Sequence, residues 1–533
     1  MIDHEHFVYL CWFSLGLTSA SIVGLFIGWK ARRRPLLERV ALATLPASGF
    51  VVLTSAVLIG LKAPEIHWNG CRLAPSMGLW YGAKLYRGPT SGPVLNTIYP
   101  PMSFVAYAPA GLCARPSTAV IVGSCVSMML FYTPYLVLCL APRPSSGPGR
   151  ILLGECVFLG FCTLAMTSGT LFSSAHWIHS DAPAIGFAAG ACLALHLFHE
   201  RARLPPGAAL ASCLCASLAV WSKQTMAPLF VVLPLWVLAT RGAAACARFG
   251  SALLGILALV SAAFRSAFGS GALVFNTLKI PARHRWYYEG DAAWMGRTFL
   301  SLELLYECLP VIVLIGLALA IRDGTDDDRE DRGWSGWLSG NPWMLFAAAA
   351  LAQAPMSLLG KIKIGGAINS DAPPHYLLCC ALGSILLDRR SAGNRARNGA
   401  LALVLAASIY SPIILINQRI IPDIKSLRHL SETGDEVAFQ FARTHPGEAY
   451  FPWNPLASLL AERRLYHFEY GMIDRDRGGY PIAADHFLRH VPEQIRLVCF
   501  PPDRQSEWTM KYLPAFSRRL QIPELPGWIC YTR

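Results

Sequence analysis

The sequence predicts an α-helical polytopic membrane protein of about twelve spans, with a small external C-terminal α/β domain. Three observations predict it. The 533 residues are 54% hydrophobic and only 15% charged, whereas a soluble chain carries about a quarter charged residues. The mean hydropathy is +0.40, and the apolar residues fall in runs of about 20, the length of a membrane-crossing helix. After residue 416 these runs stop, and amphipathic segments alternate with short β-rich ones.

In chain order, hydropathy places the spans at approximately 7–29, 40–61, 117–141, 151–173, 182–198, 207–222, 225–240, 249–268, 300–321, 343–360, 375–388 and 399–416. The opening "MIDHEH" is acidic and His-rich, and the basic "KARRR" comes only after the first apolar run. A cleaved signal carries its positive charge ahead of that run, so the first span is expected to stay and to enter from outside. Alternation then puts loops 30–39, 142–150, 199–206, 241–248, 322–342 and 389–398 in the cytoplasm. Each is basic or mixed; the first carries Lys30, Arg32, Arg33, Arg34 and Arg39. The net charge of +13 therefore follows the positive-inside rule and does not point to nucleic acid. The acidic "DGTDDDREDR" reads as a solvated cytoplasmic loop. The pair of runs around "WSKQT" is short enough to be a broken or re-entrant element.

The opposite face receives the long first loop, 62–116, then three further loops and finally residues 417–533. Long loops rich in Trp, Tyr and His read as a working surface, with an interfacial aromatic belt as the simpler alternative. Residues 1–416 thus form the transmembrane region. Residues 417–533 read as a domain of helices ("SETGDEVAFQFARTH", "PLASLLAERR") and strands ("EAYFPW", "IRLVCF", "GWICYT"). Most of the 16 cysteines lie in apolar runs, where they act as small hydrophobic residues. Cys499 and Cys530 fall in the polar domain, where a disulfide and two buried thiols are both open readings.

Four external clusters hold candidate chemistry. The first loop has Glu65, His67, Trp68, Asn69 and Arg72, followed by "RLAPSMGLWYGAKLYRG" with Tyr86 and "NTIYPPMSFVAYAP" with Tyr99. A carboxylate beside aromatics at a membrane boundary can gain a raised pKa suited to general-base work; Glu65 reads equally as a solvated boundary residue. In "HWIHSDAPA", Asp181 follows His176 and His179. Ser180 or Asp181 reads as a helix cap, and a metal site on His176, His179 and Asp181 lacks a further ligand. The strip "KIPARHRWYYEGD" carries Lys279, Arg283, His284 and Arg285 beside three aromatics. It suits phosphate through charge-assisted hydrogen bonds, or anionic lipid head groups. "KIKIGGAINSDAPPHY" adds Lys361, Lys363, Asn369, Asp371 and His375 around a glycine pair. Lys223, next to Gln224 in "WSKQT", is an ionisable group between apolar flanks and so a functional candidate. No P-loop, GxSxG or HExxH occurs, which removes support for nucleotide-driven transport and the common hydrolases.

Taken together, "RLAPSMGLWYGAKLYRG", "YPPMSFVAYAP", "HSDAPA", "WSKQT" and "KIGGAIN" resemble the GT-C superfamily of integral-membrane glycosyltransferases, which includes protein O-mannosyltransferases and bacterial lipid A sugar transferases. The resemblance runs along residues 40 to 375. It implies transfer of a sugar from a polyprenyl-phosphate-linked donor to an acceptor hydroxyl on the external face, with an acidic first-loop residue as catalytic base. Glu65 is the sole acid in that loop, and Asn69 and Gly70 stand where an acid is expected. The base is therefore Glu65 or Asp181. The expected substrate-binding residues are Trp68, Asn69, Arg72, Tyr86, Tyr99, His179, Lys223, Gln224, Arg283, Arg285, Lys361 and Asn369. Among these, Lys223, Arg283 and Arg285 would neutralise the departing phosphate. One base without a second carboxylate as nucleophile implies inversion. The expected partners are the lipid-linked donor, a glycan, lipid or protein acceptor, and membrane lipids. No nucleic acid or cofactor is called for, and a divalent metal stays an open alternative without support. The expected location is a bacterial inner (plasma) membrane with the active site facing the periplasm. The alternatives are a twelve-span secondary transporter or another envelope-assembly enzyme such as a polymer ligase. A large first loop, the absence of repeats and the external domain argue against a transporter.

Overall fold

Two long helices open the chain, α1 (His4–Lys30) and α2 (Leu36–Lys62), joined by the basic turn and packed as a hairpin. The computed structural model describes residues 4–141, 148–201, 203–290, 293–321, 334–388, 402, 406, 409–502, 504 and 507–533. A 3-10 turn, Ala63–Glu65, leads into α3 (His67–Trp80), the first helix of the long loop. The bundle continues with α4 (Pro116–Leu140), α5 (Pro148–Thr167) and α6 (Gly169–His176). α5 and α6 make one apolar stretch bent by 95°, broken where Ser168 leaves the helix and its side chain caps α6. Next come α7 (Asp181–His196), α8 (Pro206–Ser222), α9 (Leu229–Arg241), α10 (Ala243–Phe268), α11 (Ala293–Ile321), α12 (Trp343–Lys361) and α13 (Ala372–Leu386).

Among the described residues, seven helices are long and apolar enough to cross a membrane, or eight if the bent pair is one span. The runs expected at 182–198, 207–222 and 375–388 are the shorter α7, α8 and α13, of 16, 17 and 15 residues. α7 is buried along nearly its whole length. Its alanines and glycines permit this, because small residues let neighbouring backbones approach. A Cβ on Gly186 would lie 2.3 Å from the Leu130 carbonyl oxygen of α4. The acidic loop lies outside the described residues, as do 399–401, 403–405, 407 and 408 of the expected run at 399–416, whose described part 409–415 is helical.

The C-terminal region holds α14 (Gly434–Thr444), β1 (Ala449–Tyr450), α15 (Pro455–Glu462), α16 (Glu469–Arg477), β2 (Leu497–Phe500), β3 (Arg518–Leu520) and β4 (Ile529–Thr532). The four strands form one sheet in the order β1-β2-β4-β3, parallel at β1–β2 and antiparallel elsewhere. Cys499 and Cys530 are register partners across β2 and β4, and both are buried thiols, not a disulfide. This region is not packed as a separate body. Leu73, Met77 and Tyr107 of the first loop share one apolar core with Phe439, Phe451 and Trp528. The Arg115 guanidinium adds a paired contact to Glu436 of α14, at 2.9 Å from Nε and 2.6 Å from Nη2. The first loop and the C-terminal region thus build a single cap on one end of the bundle.

Candidate active site

Asp181 stands at the first turn of α7 and is wholly buried. Ser180 occupies the N-cap position without a side-chain capping bond, so the cap reading gives way to a different role. Asp181 Oδ2 accepts hydrogen bonds from His179 Nδ1 and Asn369 Nδ2, and Oδ1 accepts from Lys223 Nζ at 2.5 Å. Three separate elements deliver these donors. Lys223 reaches Asp181 because α8 stops at Ser222 and the backbone runs extended through Lys223 before a 3-10 turn, Gln224–Met226. That break is the interruption expected at "WSKQT". Gln224 Nε2 ties the same turn to the Ile98 carbonyl at 3.2 Å and to the Thr277 carbonyl. Asn369 comes from the 3-10 turn Ile368–Asp371 ahead of α13.

With Nδ1 donating to the carboxylate, His179 Nε2 is left as an acceptor. It faces the Tyr99 hydroxyl at 3.1 Å, with the two rings edge to face at 4.9 Å. Burial and then the Arg72 charge lower the His179 pKa to about 4, against the pull of Asp181, so the imidazole is neutral near pH 7. Burial also raises the Tyr99 phenol, which stays protonated. A hydrogen-bonded chain, Asp181–His179–Tyr99, results.

This chain opens on a cavity lined among others by Arg72, Asn96, Tyr99, Tyr107, His179 and Ser180. Arg72 is its cation. The guanidinium sits 5.7 Å over the Trp68 ring, and its buried Nε has no hydrogen-bond partner. The walls are fixed by side-chain to backbone bonds. Tyr86 donates to the Tyr99 carbonyl and Tyr107 to the His179 carbonyl, each at 2.6 Å. Asn69, where the resemblance implies an acid, donates from Nδ2 to the Ala63 carbonyl and accepts from the Ile178 amide, both at 2.9 Å. It staples the first loop to the segment that carries His179.

The structure therefore gathers Arg72, Tyr99, His179, Asp181, Lys223 and Asn369, with Asn69, Tyr86 and Gln224 as supports and Trp68 beneath Arg72. Other expected residues lie elsewhere. Glu65 accepts from the Arg428 amide at 3.3 Å. Arg283 lies 4.8 Å over the Tyr480 ring, and Arg285 is exposed on a loop held by the Trp286–Lys363 bridge. Lys361 is buried against Asp371 and Glu303. His176 faces the Tyr132 hydroxyl and the Phe172 carbonyl, not His179. Sequence reasoning missed Asn96 and Tyr107 on the cavity wall and read Ser180 there only as a helix cap, although each lies inside a stretch it had singled out.

No protein-family model and no curated protein matches the chain. Among solved structures, the crystal structure of ArnT from Cupriavidus metallidurans bound to undecaprenyl phosphate aligns at 12% identity with a TM-score of 0.54, over 91% of this chain and 98% of that one. ArnT from the same organism in the apo state aligns over the same shares at 12% identity, with a TM-score of 0.49. The chain thus shares the fold of ArnT over nearly all its length.

Proposed function

We propose that this protein is a membrane glycosyltransferase that moves a sugar from a polyprenyl-phosphate-linked donor to an acceptor hydroxyl. The observation that carries this reading is the Asp181–His179–Tyr99 chain ending at an Arg72-lined cavity. The structural likeness to ArnT, solved with undecaprenyl phosphate, supports the donor class.

The acceptor oxygen attacks the anomeric carbon, and the bond from that carbon to the phosphate oxygen breaks. The acceptor proton passes to the Tyr99 oxygen while the Tyr99 proton moves to His179 Nε2. Asp181 holds the imidazole in the required tautomer and stabilises the imidazolium that forms. The departing lipid phosphate takes the bonding electron pair and is stabilised by Arg72. This assigns the proton to His179, with Asp181 as its positioning group and Lys223 as the counter-ion that keeps Asp181 ionised. Both Asp181 oxygens are occupied, so it is a poor nucleophile, and direct displacement with inversion follows. The acceptor is a glycan, lipid or protein hydroxyl. Basic loops on the opposite end of the bundle favour a site on the periplasmic face of a bacterial inner membrane.

The test incubates purified protein with a panel of radiolabelled polyprenyl phosphate-sugars and follows release of the lipid phosphate. Release from at least one donor is expected, with His179→Gln slowed by about 10²–10⁴. An inert wild-type protein across the whole panel overturns the reading.

A further inference from the structure

Beyond the residues already assigned, one buried carboxyl stands without a side-chain partner among the described residues. Asp474 lies on α16 of the C-terminal region and is 4% exposed. Its Oδ2 has no hydrogen-bond partner, and no ion pair reaches its carboxyl among the described residues. An unpaired carboxyl in such a place is costly, so its position needs a cause.

That position is firmly set. At its start α16 hangs on the first loop, where the Phe468 amide donates to the Val94 carbonyl at 2.8 Å. A Cβ on Gly471 would lie 2.5 Å from the Leu95 carbonyl oxygen and 3.1 Å from the Asn96 nitrogen. The helix backbone therefore lies directly on the segment that carries Asn96 and Tyr99. Tyr470, one turn before Asp474, packs edge-on to Trp68 at 4.1 Å. From the other side, His284 Nε2 contacts the Asp474 carbonyl oxygen at 3.0 Å. Burial raises the Asp474 pKa to about 7, against the charge of Arg477 and then of Arg72, and the carboxyl in turn acts on Tyr99 and Tyr470. Arg72 and Asp474 thus form no ion pair with each other, and each keeps an unpartnered buried polar atom. A ligand between them satisfies both.

We propose that Asp474 is a substrate-binding residue of the transfer site, accepting a hydrogen bond from a hydroxyl of the sugar whose phosphate is held by Arg72. The inference rests on the glycosyltransferase reading above. It gives the C-terminal region a direct part in sugar selection. A carboxylate that is desolvated before substrate arrives discriminates strongly against a sugar lacking the matching hydroxyl, because its absence leaves the acceptor group unpaired.

Full-length Asp474→Ala and Asp474→Asn are compared with wild type on polyprenyl phosphate-linked sugars and their monodeoxy analogues. Asp474→Ala should raise the donor KM about tenfold or more, with a smaller change for Asp474→Asn and thermal unfolding kept near that of wild type. One monodeoxy donor should be poor for wild type, and Asp474→Ala should no longer distinguish it from the parent sugar. An active wild type whose discrimination among these donors is unchanged in both variants overturns this inference and leaves the transferase reading standing. A wild type inert on every donor overturns the transferase reading instead.

Discussion

At the scale of single residues, the site turns on which acid moves a proton, and the contacts of Asp181 decide it. A carboxylate that accepts from His179, Lys223 and Asn369 is fixed as an ionised anchor, and the free basic atom of the chain is His179 Nε2. Asp181→Asn is therefore expected to cut turnover by about 10²–10⁴ while donor binding persists, whereas Glu65→Gln should stay within a few-fold of wild type. Equal losses in both would return Glu65 to the mechanism. The pH profile is a second check. Burial depresses the His179 pKa to about 4, and a general base works only when unprotonated. The rate should hold as pH falls through 6.5, the ordinary histidine value, and drop only as it nears about 4; an acid limb near 6.5 would point to a different, solvated group. Sequence alone exposed Asp181, His179, Lys223 and Asn369 as candidates. It did not show that the lysine pairs with the aspartate, because a buried ion pair between distant segments leaves no local pattern. For the same reason Asp474 was invisible: "EYGMIDRDRGG" reads as an ordinary polar helix, and only its docking on the first loop makes that carboxyl unusual.

At the scale of elements, hydropathy marked the membrane helices well, since a continuous apolar stretch is a strong signal. It also marked the interruption at "WSKQT", where a lysine within apolar flanks needs an irregular backbone to reach a partner. The close approaches were not legible in that way, because glycine gives no hint of what will lie against it. Gly70 of α3 faces α14: a Cβ there would sit 1.9 Å from Asp435 Oδ2. Asp435 has little freedom to yield, as it is buried and its Oδ1 accepts from Asn454 Nδ2 at 3.0 Å. Gly70→Ala should therefore destabilise the protein by about 1–3 kcal/mol, lowering its thermal midpoint in detergent. Gly207→Ala in the first turn of α8, where nothing lies within 4 Å, should leave the midpoint unchanged. If the two variants melt alike, α3 and α14 do not pack in this way.

At the scale of the whole molecule, the sequence separates a membrane region from residues 417–533, while the structure joins the latter to the first loop in one apolar core. Composition reveals where the chain changes character, but not which surfaces bury each other. The shared core carries a strict consequence for topology. Residues 62–116 and 417–533 must lie on the same side of the membrane, opposite the basic loop 30–39, whose charges favour the cytoplasm. Thr90 and Gln521 are exposed positions in the two parts of the cap, and Arg33 is exposed in the basic loop. Cysteines placed singly at these positions and treated with a membrane-impermeant maleimide on intact cells, against the parent protein as background, report the arrangement directly. Thr90→Cys and Gln521→Cys should both label, and Arg33→Cys should label only after the membrane is permeabilised. Labelling of all but the Arg33 variant agrees with a lipid-linked donor met on the outer surface. Reversal of all three would keep the shared core but turn the site toward the cytoplasm, and a split between Thr90 and Gln521 would break the cap itself, taking with it the packing of α16 on the first loop.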